Sequence, residues 1–242
     1  MLHVIDLHTY YGDSHVLQGV TLQVEKGAVA AVVGRNGVGK TTLCRSIVGF
    51  TPVRGGRVVF NGDDITNLPP HTIVNRRISL VPQGRRVFAS LTVQENLAIA
   101  CQPSPSAGAW TMEKIFSVFP RLADRSRHRG DELSGGEQQM LAIARALVAN
   151  PILMLMDEPT EGLAPAMVAT VGSLIRRVKD EGTSILLVEQ NAAFAVQVSD
   201  IAYVMSKGTI VHSSDPRALW RNEEIKTQFL GVPPPPRTLR RD

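Results

Sequence analysis

One stretch constrains this chain more than any other: Gly34-Arg35-Asn36-Gly37-Val38-Gly39-Lys40-Thr41. It follows Ala28–Val33, a continuous apolar run of the kind found in strands buried on both faces, and it opens a helix expected over Lys40–Gly49. The spacing matches G-x-x-x-x-G-K-[ST] in the strand-to-helix context that gives the pattern a mechanism. Glycines let successive backbone N–H groups face one anion, and the helix N-terminus adds its dipole. Lys40 is placed to reach β- and γ-phosphates, and the Thr41 hydroxyl to ligate Mg²⁺. A glycine-rich turn with a surface lysine is the alternative, and the complete motif disfavours it. The candidate nucleotide-binding residues are therefore Gly34, Arg35, Asn36, Gly37, Val38, Gly39, Lys40 and Thr41, with Thr42 beside them. The ligand class is a nucleoside triphosphate.

Composition excludes several other classes. Of 242 residues, 43% are hydrophobic and 20% charged, which suits a folded core rather than a disordered chain. The apolar runs Ala28–Val33 and Ile152–Met156 fall far short of the roughly 20 residues that cross a bilayer, and Met1–Tyr11 lacks the pattern of a secretory signal. A cytosolic location is expected, with no membrane crossing by this chain. Cys44 and Cys101 have no metal-ligand spacing and read as reduced, buried or half-buried thiols; the six histidines are scattered. No G-x-S-x-G nucleophile motif is present. Trp110 and Trp220 read as core or interface residues. The net charge is +4, but Arg237–Asp242 carries three arginines against one aspartate, so half the excess lies in an end expected to fray. Nucleic acid is not expected as a partner.

Hydrophobic periodicity outlines an α/β chain. His3–Tyr10 and Val16–Val24 read as antiparallel strands, with further strands at Arg57–Phe60 and Ile78–Val81. Helices are expected at Val93–Ala100, Trp110–Phe119 and Gly135–Ala149, separated by a loop at Cys101–Gly108 and a basic connector at Arg121–Gly130. Buried strands return at Ile152–Met156 and Ser184–Val188. Between them, Val168, Val171, Leu174, Ile175 and Val178 mark a helix. Two short strands around Lys207-Gly208, a helix near Pro216–Phe229 and a polyproline stop at Pro233–Pro236 complete the chain. The alternation argues for a parallel sheet, with a helical block between Gln83 and Asn150 inserted into it.

Two further motifs carry chemistry. The strand Ile152–Met156 ends in Asp157-Glu158, whose side chains point in different directions because strand residues alternate. Asp157 suits Mg²⁺, and Glu158 suits a base or orienter for an attacking water. Leu133-Ser134-Gly135-Gly136-Glu137-Gln138-Gln139 opens a long helix with a hydroxyl and two glycines, a second anion-binding helix start. A serine-capped helix is its plain alternative.

With this segment the chain resembles the ATP-binding subunits of ABC transporters, whose motif reads LSGGQ or close to it. The resemblance runs from Val4 to about Gly231 with every motif in family order. It implies a P-loop NTPase fold: a RecA-like parallel sheet core with an antiparallel β subdomain (residues 1–82 and 151–231), an inserted α-helical subdomain (about 83–150) and a disordered Pro-rich, basic tail (232–242). It places Tyr11 against adenine, Gln83 at Mg²⁺ and the attacking water, and Asp157 and Glu158 as metal ligand and catalytic glutamate. Ser134, Gly135, Gly136 and Glu137 then meet the γ-phosphate held by an opposite subunit. Two ATP molecules are thus sandwiched in a head-to-tail dimer, homomeric or heteromeric. Gly84-Arg85-Arg86-Val87-Phe88, Gly162-Leu163-Ala164-Pro165 and Leu187-Val188-Glu189-Gln190-Asn191 look like branched-chain amino acid importer ATPases, the smaller of that system's pair. Urea and short-chain amide importer ATPases are similar as well. The implied partners are two integral membrane permeases, indirectly an extracytoplasmic solute-binding protein, at the inner face of the cell membrane. Their coupling helices would dock in a groove lined by about Gln83–Asn96, with Arg85, Arg86 and Phe88 as contacts.

Three positions depart from the wider family. Gln190 stands where a switch-loop histidine is usual; it keeps a γ-phosphate donor but cannot carry a proton, which leaves Glu158 as the chemical residue. Ala164 replaces the usual aspartate of the following loop, and Glu137 the commoner glutamine. A soluble non-transport ABC ATPase and a module that holds ATP without turnover are the rival readings. One motif set without a heptad run argues against the first, and Glu158 against the second.

Overall fold

The structure, a computed structural model, describes residues 1–103 and 108–231. Part of the expected loop Cys101–Gly108 and the whole tail 232–242 lie outside the described residues. The strands are Leu2–Tyr11 (β1), Ser14–Val24 (β2), Val29–Val33 (β3), Val53–Phe60 (β4), Asp63–Asp64 (β5), Ile78–Val81 (β6), Leu153–Asp157 (β7), Ser184–Glu189 (β8), Ile201–Ser206 (β9) and Thr209–Ser214 (β10). They form two sheets. One is antiparallel, in the order β2-β1-β4-β5; the other has the order β10-β9-β3-β8-β7-β6, parallel except for the β9–β10 hairpin.

The parallel sheet separates two hydrophobic cores, and strand alternation assigns residues to each. Val29, Ala31, Val33, Met154, Met156, Ile185 and Leu187 face one core, while Ala30, Val32, Leu153, Leu155, Leu186 and Val188 face the other. Burial on both faces explains why these strands read as unbroken apolar runs. The register pairs Val33 with Glu189, Val188 with Asp157 and Met156 with Val81. The carboxyl ends of β3, β8, β7 and β6 thus lie side by side, the edge where open α/β sheets bind ligands.

The helices are Lys40–Ile47 (α1), Pro70–Asn75 (α2), Val93–Ala98 (α3), Met112–Val118 (α4), Pro120–Asp124 (α5), Gly135–Val148 (α6), Pro165–Asp180 (α7), Ala192–Val198 (α8), Pro216–Arg221 (α9) and Glu223–Ile225 (α10). Four of them, α3 to α6, lie between the adjacent strands β6 and β7. The short helices α2 and α8 exceed the expectation: the first starts on Pro69-Pro70, and the second is capped by Asn191 Oδ1, which accepts from Phe194 N–H at 3.1 Å. The connector Arg121–Gly130 contains most of α5. The expected helix Pro216–Phe229 is interrupted at Asn222, whose Oδ1 accepts from Ile225 N–H at 3.1 Å and starts α10; a π-helical turn, Lys226–Leu230, follows. Cys44 is buried but Cys101 is exposed, unlike the half-buried thiol expected. Trp110 is in the core, while Trp220 is partly exposed with Lys226 Nζ 4.9 Å from its ring centre.

Candidate functional site

The phosphate loop joins β3 to α1. Gly39, the residue before α1, has φ +112°, a conformation that a side chain would strain, and no side chain caps the helix. The first N–H groups of α1 are therefore left to a ligand. Asn36, Gly37, Gly39, Lys40, Thr41 and Thr42 line a cavity of about 300 Å³ together with Val16, Gln83 and Glu158. Gly34 and Arg35 turn their carbonyls to Lys40 instead, each accepting from Nζ at 2.9 Å. Val38 packs against the hydrophobic core. Tyr11 is not among the residues lining this cavity; it is 48% exposed at the end of β1, and its hydroxyl lies 3.2 Å from Thr51 Oγ1.

The two carboxylates at the end of β7 do point apart. Asp157 Oδ1 accepts from Thr41 Oγ1 at 3.2 Å, and the same hydroxyl lies 3.4 Å from Gln83 Oε1. Burial pushes the Asp157 carboxyl up to about 6; the Thr41 hydrogen bond lowers it, the Glu158 charge raises it and the Lys40 charge lowers it. Three hard oxygen donors from Thr41, Gln83 and Asp157 fit Mg²⁺. Among the described residues no group of three or more His, Cys, Asp or Glu could hold a metal ion; Mg²⁺ characteristically takes one or two protein oxygen ligands beside waters and substrate phosphates. Glu158, at φ +49°, reaches the other way: Oε1 pairs with Lys40 Nζ at 2.9 Å, and Oε2 accepts from Gln83 Nε2 at 3.1 Å. Gln83 Nε2 also donates to Glu161 Oε2 at 3.0 Å, a partner no motif marked.

Gln190 is exposed and lines a separate cavity of about 400 Å³ with Glu158, Thr160, Glu161, Gly162, Glu189 and Asn191. Glu189 follows the expected strand Ser184–Val188, and no motif spacing gives it a role. It is 2% exposed, and Oε1 accepts from Thr160 N–H at 3.1 Å and from Thr160 Oγ1 at 2.7 Å, while Oε2 accepts from Asn191 N–H at 3.2 Å. Burial raises its carboxyl despite these hydrogen bonds. The side chain braces the loop after Glu158 against the loop that bears Gln190.

Ser134 caps α6 in a capping box: Glu137 Oε2 accepts from Ser134 N–H at 2.8 Å and Ser134 Oγ at 2.7 Å, and Arg125 Nε pairs with Glu137 Oε1 at 3.0 Å. Partial burial pushes the Glu137 carboxyl up, but the Ser134 bonds and the Arg125 and Arg121 charges outweigh it and hold it below its usual value. Ser134, Gly135, Gly136 and Glu137 line a cavity of about 850 Å³ that shares no residue with the phosphate-loop cavity. Within one chain the two candidate anion-binding helix starts therefore share no cavity.

A fourth cavity, of about 560 Å³, shares Thr41 and Gln83 with the phosphate-loop cavity. Asp157, Phe50, Pro70, Val74, Leu80, Arg86 and Arg145 are among its other lining residues. Of the three residues expected in a docking groove, Arg86 alone lines it. Arg85 is turned to the Ser134 cavity, and the Phe88 ring lies 5.0 Å from the Arg145 guanidinium carbon. The sharp turn at Gly84-Arg85-Arg86, three successive residues with positive φ, separates the two arginines.

Residues 17–161 match the family ABC transporter. The chain is 40% identical over 239 residues to the high-affinity branched-chain amino acid transport ATP-binding protein BraG of Pseudomonas aeruginosa, covering 96% of this chain and all of that one. It is 37% identical to the probable branched-chain amino acid transport ATP-binding protein LivF of Archaeoglobus fulgidus, covering 96% and 99%. A crystal structure of a nucleotide-free ATP-binding cassette from an ABC transporter superposes with a TM-score of 0.78 at 31% identity, covering 89% of this chain and 91% of that one. A family match over more than half the chain and relatives aligned over nearly all of it establish that the chain belongs to the ABC transporter family, as one of its ATP-binding ATPases.

Proposed function

We propose that this chain hydrolyses ATP, with Mg²⁺, to drive uptake of branched-chain amino acids through two partner permeases at the inner face of the cell membrane. The observation that carries the reading is the separation of the phosphate-loop cavity from the Ser134 cavity. A head-to-tail pair of chains brings one of each together, so hydrolysis depends on assembly. The solute class rests on the relatives BraG and LivF.

The residues then have defined tasks. The free N–H groups from Asn36 to Thr42 cradle the phosphates, and Lys40 exchanges Glu158 for a phosphate oxygen. Released from Lys40, Glu158 accepts the proton of the attacking water. When bound, Mg²⁺ supplies charge neutralisation at the phosphates, held by Thr41, Gln83 and Asp157. Gln190 donates an amide N–H to the γ-phosphate without proton transfer. Tyr11 stacks on adenine after its hydroxyl leaves Thr51. Gln83 borders both the phosphate cavity and the groove behind it, which links nucleotide state to a permease helix docked against Phe50, Val74 and Arg86. Gln83, Arg86 and Arg145 supply the side of that groove that belongs to residues 83–150. Among the described residues no helix is long and apolar enough to cross a membrane, so translocation falls to the partners.

The test is reconstitution in proteoliposomes with partner permeases of a branched-chain amino acid importer and their binding protein. ATP-driven leucine uptake is expected, and Phe50→Ala with Val74→Glu lowers uptake at least tenfold while the chain still binds ATP. Uptake of urea but not leucine moves the solute class, and hydrolysis without any coupled uptake overturns the importer reading.

A further inference from the structure

Arg85 carries a charge that the reading so far does not use. Its guanidinium lies flat against the start of α6: an ideal Cβ on Gly135 would be 2.6 Å from Nη1 and 2.8 Å from Cζ, and one on Gly162 would be 3.7 Å from Nη2. Only a glycine at 135 permits this approach. The group is partly buried, and among the described residues it has no hydrogen bond or ion pair. The positive end of a helix dipole is an unfavourable place for a cation without an anion. The turn that holds it there is itself strained, with φ +78°, +66° and +46° at Gly84, Arg85 and Arg86 and Arg86 N–H donating to Gly84 O at 2.7 Å.

The same helix start carries an opposing charge. Glu137 occupies the Ser134 N–H and hydroxyl with a carboxylate, only one of whose oxygens is paired to Arg125. An acidic group there weakens the helix start as an anion site, because it takes the donors that an incoming phosphate needs and repels its charge.

We propose that Arg85 is a phosphate-binding residue of the composite site: it contacts the γ-phosphate of the nucleotide held by a second copy of this chain and offsets the charge of Glu137. This rests on the head-to-tail reading above. Arg85 lines the cavity of Ser134, Gly135 and Gly136 and not the phosphate-loop cavity of its own chain, so its action is in trans. Its planar fork of donors suits phosphate oxygens.

The test is ATP-driven self-association of the full chain, followed by sedimentation velocity in a Glu158→Gln background that prevents turnover. Each dimer contains two such contacts. A tenfold loss at each, within the range of a charge-assisted hydrogen bond, gives about a hundredfold weaker association for Arg85→Ala. Arg85→Lys, which keeps the charge, is expected to lose less, and adding Glu137→Gln to Arg85→Ala should restore at least tenfold. Equal or tighter association of Arg85→Ala overturns the proposal. So does a loss that neither Arg85→Lys nor Glu137→Gln relieves, which marks a structural role, and so does weaker ATP binding at concentrations where the chain is a monomer. If the parent Glu158→Gln chain fails to associate with ATP, the reading of a composite site between two copies of this chain falls, and with it the proposal.

Discussion

Glu158→Gln separates two roles that the geometry assigns to one carboxylate. Glu158 is paired with Lys40 at 2.9 Å, with the side chains 7% and 3% exposed, so each group neutralises the other until a phosphate arrives. Glutamine removes the charge but keeps the shape. Lys40 retains the Gly34 and Arg35 carbonyls and loses a charge-assisted hydrogen bond, whose net contribution is about 1.5–3 kcal/mol. That loss falls on the nucleotide-free state, because Lys40 must leave Glu158 to bind phosphate. The variant should therefore melt about 3–12 °C lower without nucleotide, at roughly 2–4 °C per kcal/mol for a chain of this size. It should also bind ATP about tenfold to a hundredfold more tightly. Turnover should drop about 10²–10⁴-fold with the loss of the base. Isothermal titration with ATP, thermal melts with and without nucleotide, and phosphate release measure the three quantities. Unchanged ATP affinity with an unchanged melting point would show that the Lys40–Glu158 pair does not oppose nucleotide binding, and near-normal phosphate release would remove Glu158 as the base.

Two further outcomes are open to simple assays. The Asp157 carboxyl is raised from 3.8 to about 6, chiefly by burial, so the folded nucleotide-free chain favours its protonated form. This contribution is complete below pH 3.8 and is lost as pH rises through about 6, roughly two pH units or about 3 kcal/mol. Relative to wild type, Asp157→Asn should gain melting temperature as pH rises from about 4 to 7, and wild-type hydrolysis should need more Mg²⁺ for half-saturation below about pH 6. A parallel pH course in both proteins would refute the assignment. Cys101 is exposed, whereas burial raises the Cys44 thiol well above its usual value. An aromatic disulfide reagent should therefore titrate one thiol per native chain and two in denaturant, and rapid reaction of both in the native chain would contradict the core packing around Cys44.

Much of this protein was legible in sequence because its chemistry is local. The phosphate loop needs glycines and a lysine at fixed spacing, and the Ser134 helix start is set by three consecutive residues. The buried strands β3, β7 and β8 announced themselves as apolar runs because both faces are covered. Tertiary structure decided what depends on strand order and on turns. Sequence does not show that β8 lies between β3 and β7, yet that order brings Glu189 beside the loop of Glu158. Arg85 and Arg86 are neighbours in the chain, and three successive positive φ angles send one to the Ser134 cavity and the other to the groove. The Lys40–Glu158 pair joins residues more than a hundred positions apart. Motif spacing records which groups the chemistry requires; long-range packing sets which of them neutralise one another.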